Sequence, residues 1–156
     1  MLGAMSQYAV TVTVETAFAE QVAERGLEEQ AKKVLTAERV APGSELSVFV
    51  TDDKTIQDLN RRFRSIDEPT DVLSFGLDDG PAFTTPPGSA NQAGEVVISF
   101  PTALQQAREA GHGVEQELLH LLTHGVLHIL GYDHEAPDDA RKMRAKEEVL
   151  LEGWRH

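Results

Sequence analysis

The sequence predicts an α+β fold: one domain in which a small mixed four-stranded sheet is packed with helices. Three observations carry this. Strand-like and helix-like segments follow one another as β-α-β-α-β-β-α-α-α, with no internal repeat. The 156 residues suit one core. The most apolar helical segment, beginning near Val114, is hydrophobic around most of its circumference and is therefore expected to be central and buried.

Each element has a local reason. Tyr8 to Val14 alternates Tyr/Val with Ala/Thr, the two-residue period of a strand with one buried face. Thr16 to Glu38 is rich in helix formers, with Phe18, Val22, Leu27, Val34 and Leu35 as the core stripe and Gly26 as a point of interruption. Ala41-Pro42-Gly43-Ser44 is a turn, and Leu46 to Thr51 a second strand. Thr51 or Asp52 caps a helix to about Phe63, with Ile56, Leu59 and Phe63 inward. A turn-rich connector, residues 64–71, leads to a short strand, Val72 to Phe75. Residues 77–93 hold three prolines and little to bury, and read as a mobile surface loop; a plain hairpin connection is favoured over a lid on substrate. Gly94 to Ser99 is the fourth strand, and Pro101 opens a helix to about Ala110. In the central helix that follows, Glu115 and Glu117 suit the positive end of the dipole. A last helix runs from Pro137 or Asp138 to about Leu151, with Met143, Val149 and Leu150 inward. The ordered core is placed at about 8–151 of a single 1–156 domain.

Composition narrows the chemistry. There are no cysteines, so disulfides, thiolate metal sites and cysteine nucleophiles are out. No apolar run approaches the roughly 20 residues of a membrane span, and no secretory signal is visible; a cytoplasmic location is the default expectation. The net charge of −12 argues against nucleic-acid binding over the whole surface, but leaves room for a local basic cleft. Residues 61–76 are the balanced stretch, with Arg61, Arg62 and Arg64 against Asp67, Glu68 and Asp71.

The chemistry concentrates in residues 120–134, which hold four of the six histidines. His120, His124 and His128 recur every four residues, so they line one face of a helix. Gly131 can end that helix and let His134 fold back. His124, His128 and His134 then form a three-histidine set with one tetrahedral position open, the arrangement of catalytic zinc. His120 is placed behind these ligands or against substrate, because a fourth histidine would close the open position. Asp133 and Glu135 flank the last ligand; each either hydrogen-bonds a ligand histidine or is simply solvated. Met143 reads as core, with packing beneath a metal as the lesser alternative.

Two segments carry a resemblance. Leu59-Asn60-Arg61-Arg62-Phe63-Arg64-Ser65-Ile66-Asp67-Glu68-Pro69-Thr70-Asp71-Val72-Leu73-Ser74-Phe75 resembles the first signature of the YbeY family of bacterial endoribonucleases, and His120 to His134 resembles that family's metal signature. Gly94 to Ser99 is similar to a third block, with Glu95 standing where many relatives carry aspartate. The resemblance runs from about Tyr8 to Leu151. It implies a single-strand-specific, metal-dependent endoribonuclease of rRNA processing, acting in small-subunit rRNA 3′-end maturation and ribosome quality control. It further implies one zinc ion per chain on His124, His128 and His134, with Arg64 tied to activity. Single-stranded RNA, small-subunit components and a ribosome-associated GTPase are the implied partners, with no membrane. Imidazole also accepts other divalent transition metals.

The metal signature also resembles that of the metzincin zinc proteases, which makes the central helix metzincin-like. Gly125, however, stands where those proteases carry their glutamate base. Arg64 can grip two phosphate oxygens at once; its alternative is a surface ion pair with Asp67 or Glu68. Arg61 and Arg62 are solvated helix residues or extend a phosphate track. Two other readings stand beside the nuclease: a zinc hydrolase of peptide or ester, and a non-enzymatic ribosome-assembly factor with a structural metal.

Overall fold

A computed structural model describes residues 8–76, 92–132 and 136–151. Its sheet has four strands: β1 (Ala9–Val14), β2 (Glu45–Thr51), β3 (Val72–Phe75) and β4 (Gln92–Ser99). Their order is β1-β2-β4-β3. β1, β2 and β4 run parallel, and β3 is antiparallel to β4 at the sheet edge. The sheet is therefore mixed, as the sequence predicts.

Helices cover its two faces unequally. α1 (Glu24–Ala37), α3 (Phe100–Ala110), α4 (Val114–Ile129) and α5 (Pro137–Leu150) lie on one side. Here Leu46, Val48, Val50, Val96 and Ile98 meet Leu27, Val34, Leu35, Leu122, Val126 and Leu127. On the other side α2 (Asp53–Arg64) brings Ile56 and Leu59 against Leu73, Phe75 and Val97. The period-two pattern thus sorts consecutive residues of β4 into two cores: Val96 and Ile98 go one way, Val97 the other. Among the described residues no helix is long and apolar enough to cross a membrane.

Helix ends follow the expected chemistry. The Asp52 carboxylate accepts the Thr55 amide at 2.8 Å and starts α2, and the Ser99 hydroxyl accepts from the Thr102 amide at the start of α3. Gly131 adopts φ +108° just past α4. Its amide donates to the His128 carbonyl and the Tyr132 amide to the Leu127 carbonyl, the paired bonds of a Schellman stop.

Three expectations need correction. The helix predicted over Thr16 to Glu38 is two elements: a 3-10 helix at Thr16–Gln21, then α1, with the break at Val22 and Ala23 rather than at Gly26. Both halves contain good helix formers, so propensity carries no stop signal. Tertiary packing decides: Phe18 stacks on Phe100 at 4.8 Å between centroids, and Val22 is buried. β4 begins at Gln92, so the last two residues of the expected 77–93 loop are strand, while residues 77–91 lie outside the described residues. Val149 is 72% exposed, not inward, because the inner stripe of α5 runs through Met143, Glu147 and Leu150.

Candidate functional site

A cavity of about 430 Å³ opens between the edge strand β3 and the histidine face of α4. Arg64 at the end of α2, residues 70–74, and His120, Leu121, His124, Gly125 and His128 line it. Three of the candidate residues predicted from sequence, Arg64, His124 and His128, therefore share one space, and His120 joins them. Exposure rises along the row: the side chains of His120 and His124 are 17% and 28% exposed, and His128 is exposed. The expected third ligand, His134, lies outside the described residues with Asp133 and Glu135. Among the described residues, no group of three potential ligands gathers as a metal would require.

Two elements bring Arg64 here. α2 ends at Arg64 because Ser65 takes the left-handed conformation, φ +62°. The guanidinium then reaches the sheet edge: Nη2 donates to the Ser74 carbonyl at 2.7 Å, and the group lies 4.8 Å from the centre of the Phe75 ring. An edge strand has carbonyls without a ladder partner, so it can accept such a bond. Ser74 also faces the histidines, with its Oγ 3.5 Å from His128 Nδ1. One residue of β3 thereby links the arginine and the histidine row. Arg61 and Arg62 both pair with Asp58 on the exposed side of α2.

Glu147 lies outside the histidine motif and outside the residues to which the sequence points. It reaches from α5, 13% exposed, and its Oε2 lies 2.6 Å from His124 Nδ1. Its Oε1 is 3.5 Å from His120 Nε2. Burial opposes ionisation of Glu147, but hydrogen bonds from His120 and His124, together with their charge, outweigh it and hold the carboxyl down at about 2. A signal was present: Glu147 falls four residues after Met143 and three before Leu150, on the buried face of its helix. Glu117, which suits the helix dipole, is also buried, with Oε1 2.8 Å from His112 Nε2 and Oε2 3.9 Å from His120 Nδ1.

Two described histidines have the chemistry of transition-metal donors. His124 and His128 are one helical turn apart. Nδ1 of His124 meets Glu147, and Nδ1 of His128 lies beside Ser74, so Nε2 is the atom through which each ring would coordinate. Carboxylate and hydroxyl groups behind ligand histidines are the usual support of such sites.

Gly125 owes its place to the sheet. A Cβ there would lie 3.0 Å from Val96 Cγ1 and 3.3 Å from Val72 Cγ2. The helix approaches β3 and β4 too closely for a side chain in that direction.

The family model described as Endoribonuclease YbeY matches residues 10–155. The chain belongs to the YbeY endoribonuclease family. It is 43% identical over 143 residues to the Endoribonuclease YbeY of Roseiflexus castenholzii, covering 91% of this chain and 90% of that one. With the Endoribonuclease YbeY of Chloroflexus aggregans it shares 47% identity over 128 residues, 80% of this chain and 83% of the relative. The fold is similar to the solution structure of a Thermotoga maritima protein, with a TM-score of 0.61, 26% identity, and coverage of 92% and 87%. Arg64 and the histidine row of this YbeY-family chain lie far apart in sequence and come together beside β3.

Proposed function

We propose that this member of the YbeY family cuts single-stranded RNA in the cavity between β3 and α4, with Arg64 as the phosphate-binding residue and His124, His128 and His134 as ligands of one divalent metal, zinc. The observation that carries the reading is Ser74. It receives the Arg64 guanidinium on its carbonyl and faces His128 with its hydroxyl, so a phosphate gripper and a metal-ligating row border one space.

Each residue has a definable task. Arg64 is permanently charged and presents paired N–H groups, which suits two oxygens of one phosphodiester. Its bond to Ser74 and its seat on Phe75 restrain it before RNA arrives, which lowers the ordering cost of binding. His124 and His128 hold the metal, which when bound supplies an acidified water and draws charge from a phosphoryl oxygen. Arg61 and Arg62 do not line the cavity and both pair with Asp58, which favours the solvated alternative over a phosphate track. Family likeness supports small-subunit rRNA as substrate, 3′-end maturation and ribosome quality control as the process, the cytoplasm as the setting, and a ribosome-associated GTPase as partner.

The peptidase alternative is not favoured. A base at position 125 would have to grow into Val72 and Val96. The decisive experiment incubates the metal-loaded protein with single-stranded RNA, duplex RNA and casein, beside Arg64→Ala and His128→Ala. The parent is expected to cut the single strand alone. Both variants are expected to keep their circular-dichroism spectra and to cut on the order of 100-fold more slowly or worse. Casein cleavage by the parent would favour the other hydrolase reading. RNA binding without cleavage would favour an assembly factor.

A further inference from the structure

We propose that Glu147 is the positioning residue of this site: one carboxylate from α5 sets the tautomer and ring direction of His124 and braces His120, so that the histidine face of α4 is complete only with α5 docked. The inference rests on the metal-site reading above and assigns it a part outside the histidine motif.

The argument starts from hydrogen-bond capacity. An ionised carboxylate can only accept. At 2.6 Å from Oε2, His124 Nδ1 must therefore be the donor, so whenever the ring is neutral its proton sits on Nδ1. That leaves a lone pair on Nε2, the form a metal ligand needs. The second oxygen, 3.5 Å from His120 Nε2, prevents Glu147 from swinging away without also leaving His120. On its other side His120 Nδ1 faces Glu117 Oε2 at 3.9 Å, beyond hydrogen-bond distance, and Glu117 in turn meets His112 Nε2 at 2.8 Å. Carboxylates and imidazoles thus alternate from His112 through Glu117, His120 and Glu147 to His124. Each carboxylate comes from a helix that the hydrophobic core already fixes: Glu117 and Leu118 are buried on α4, Met143 and Leu150 on α5. The residue before Glu147 ties the same helix to the far end of α4. Lys146 Nζ lies 3.1 Å from Glu38 Oε2, and Glu38 Oε1 accepts from the Tyr132 hydroxyl at 2.8 Å, one residue past the Gly131 stop.

The test uses long-range 1H–15N correlation spectra of histidine rings in the metal-free full-length protein at pH 8, together with cobalt(II) titration followed by its visible absorption. Four proteins are compared: parent, Glu147→Ala, Glu147→Gln and Lys146→Met. In the parent His124 is expected as the Nδ1–H form. Glu147→Ala should move it towards Nε2–H and weaken cobalt binding about 10–100-fold with a changed spectrum. Glu147→Gln keeps an acceptor oxygen and should restore the tautomer. Lys146→Met removes the ion pair with Glu38 while Met143 and Leu150 keep α5 docked, and it should leave the tautomer as in the parent. An unchanged His124 signal in Glu147→Ala overturns the proposal, and so does a Lys146→Met protein that reproduces the Glu147→Ala change. If no protein takes up cobalt while the tautomer still follows the carboxylate, the metal reading fails and the positioning role of Glu147 stands.

Discussion

Glu95 should make this protein less stable as pH rises from about 4.5 to about 7. It sits in β4 between β2 and β3, opposite Ser47 and Phe75, on the sheet face it shares with Val97. Burial pushes its carboxyl from an ordinary 4.5 up to about 7. The folded protein therefore binds this proton more tightly than the unfolded chain. Stability from this group is fully present below pH 4.5, falls between 4.5 and about 7, and is level above that. At about 1.4 kcal/mol per pH unit, the whole gap between 4.5 and 7 is at most about 3.5 kcal/mol. Glu95 is only half-buried, so solvent reaches it and about 1–2 kcal/mol is the appropriate expectation. Glu95→Gln keeps the shape and removes the ionisation. Urea melts of parent and variant at pH 5 and pH 8 isolate the effect, because histidine titration is common to both and cancels. The variant should gain about 1–2 kcal/mol on the parent between the two pH values. A parent–variant difference that is the same at both pH values would refute the reasoning.

Gly125→Ala sets helix propensity against packing. Alanine is worth about 1 kcal/mol over glycine inside a helix. The new methyl group would press on Val96 and Val72, an overpacking cost of about 1–3 kcal/mol. A net loss of about 1 kcal/mol in urea unfolding is expected, and a full gain would show that the sheet yields. Chelation should also lower the melting temperature of the metal-loaded protein, because a ligand at 100 times its Kd adds about 2.7 kcal/mol to the folded state; differential scanning calorimetry before and after metal removal measures it, and superimposable melts would count against a metal coupled to folding.

Much of this molecule is legible in one dimension. Hydrophobic periodicity is local, so β1, β2, β3, α2 and the buried α4 follow from the spacing of Val, Leu and Ile. The four-residue interval of His120, His124 and His128 places three rings on one helix face, because helical geometry leaves no other arrangement. The stop at Gly131 follows from the backbone freedom of glycine. Relations between distant segments are not legible this way. No spacing rule says that Ser74 joins Arg64 to His128, or that a glutamate 23 residues past His124 takes its Nδ1. The break at Val22, the outward turn of Val149 and the bare helix face at Gly125 likewise come from what each residue meets across the core. Propensity and period are properties of neighbours along the chain, whereas ring orientation, burial of a carboxylate and closeness of a helix to a sheet belong to neighbours in space.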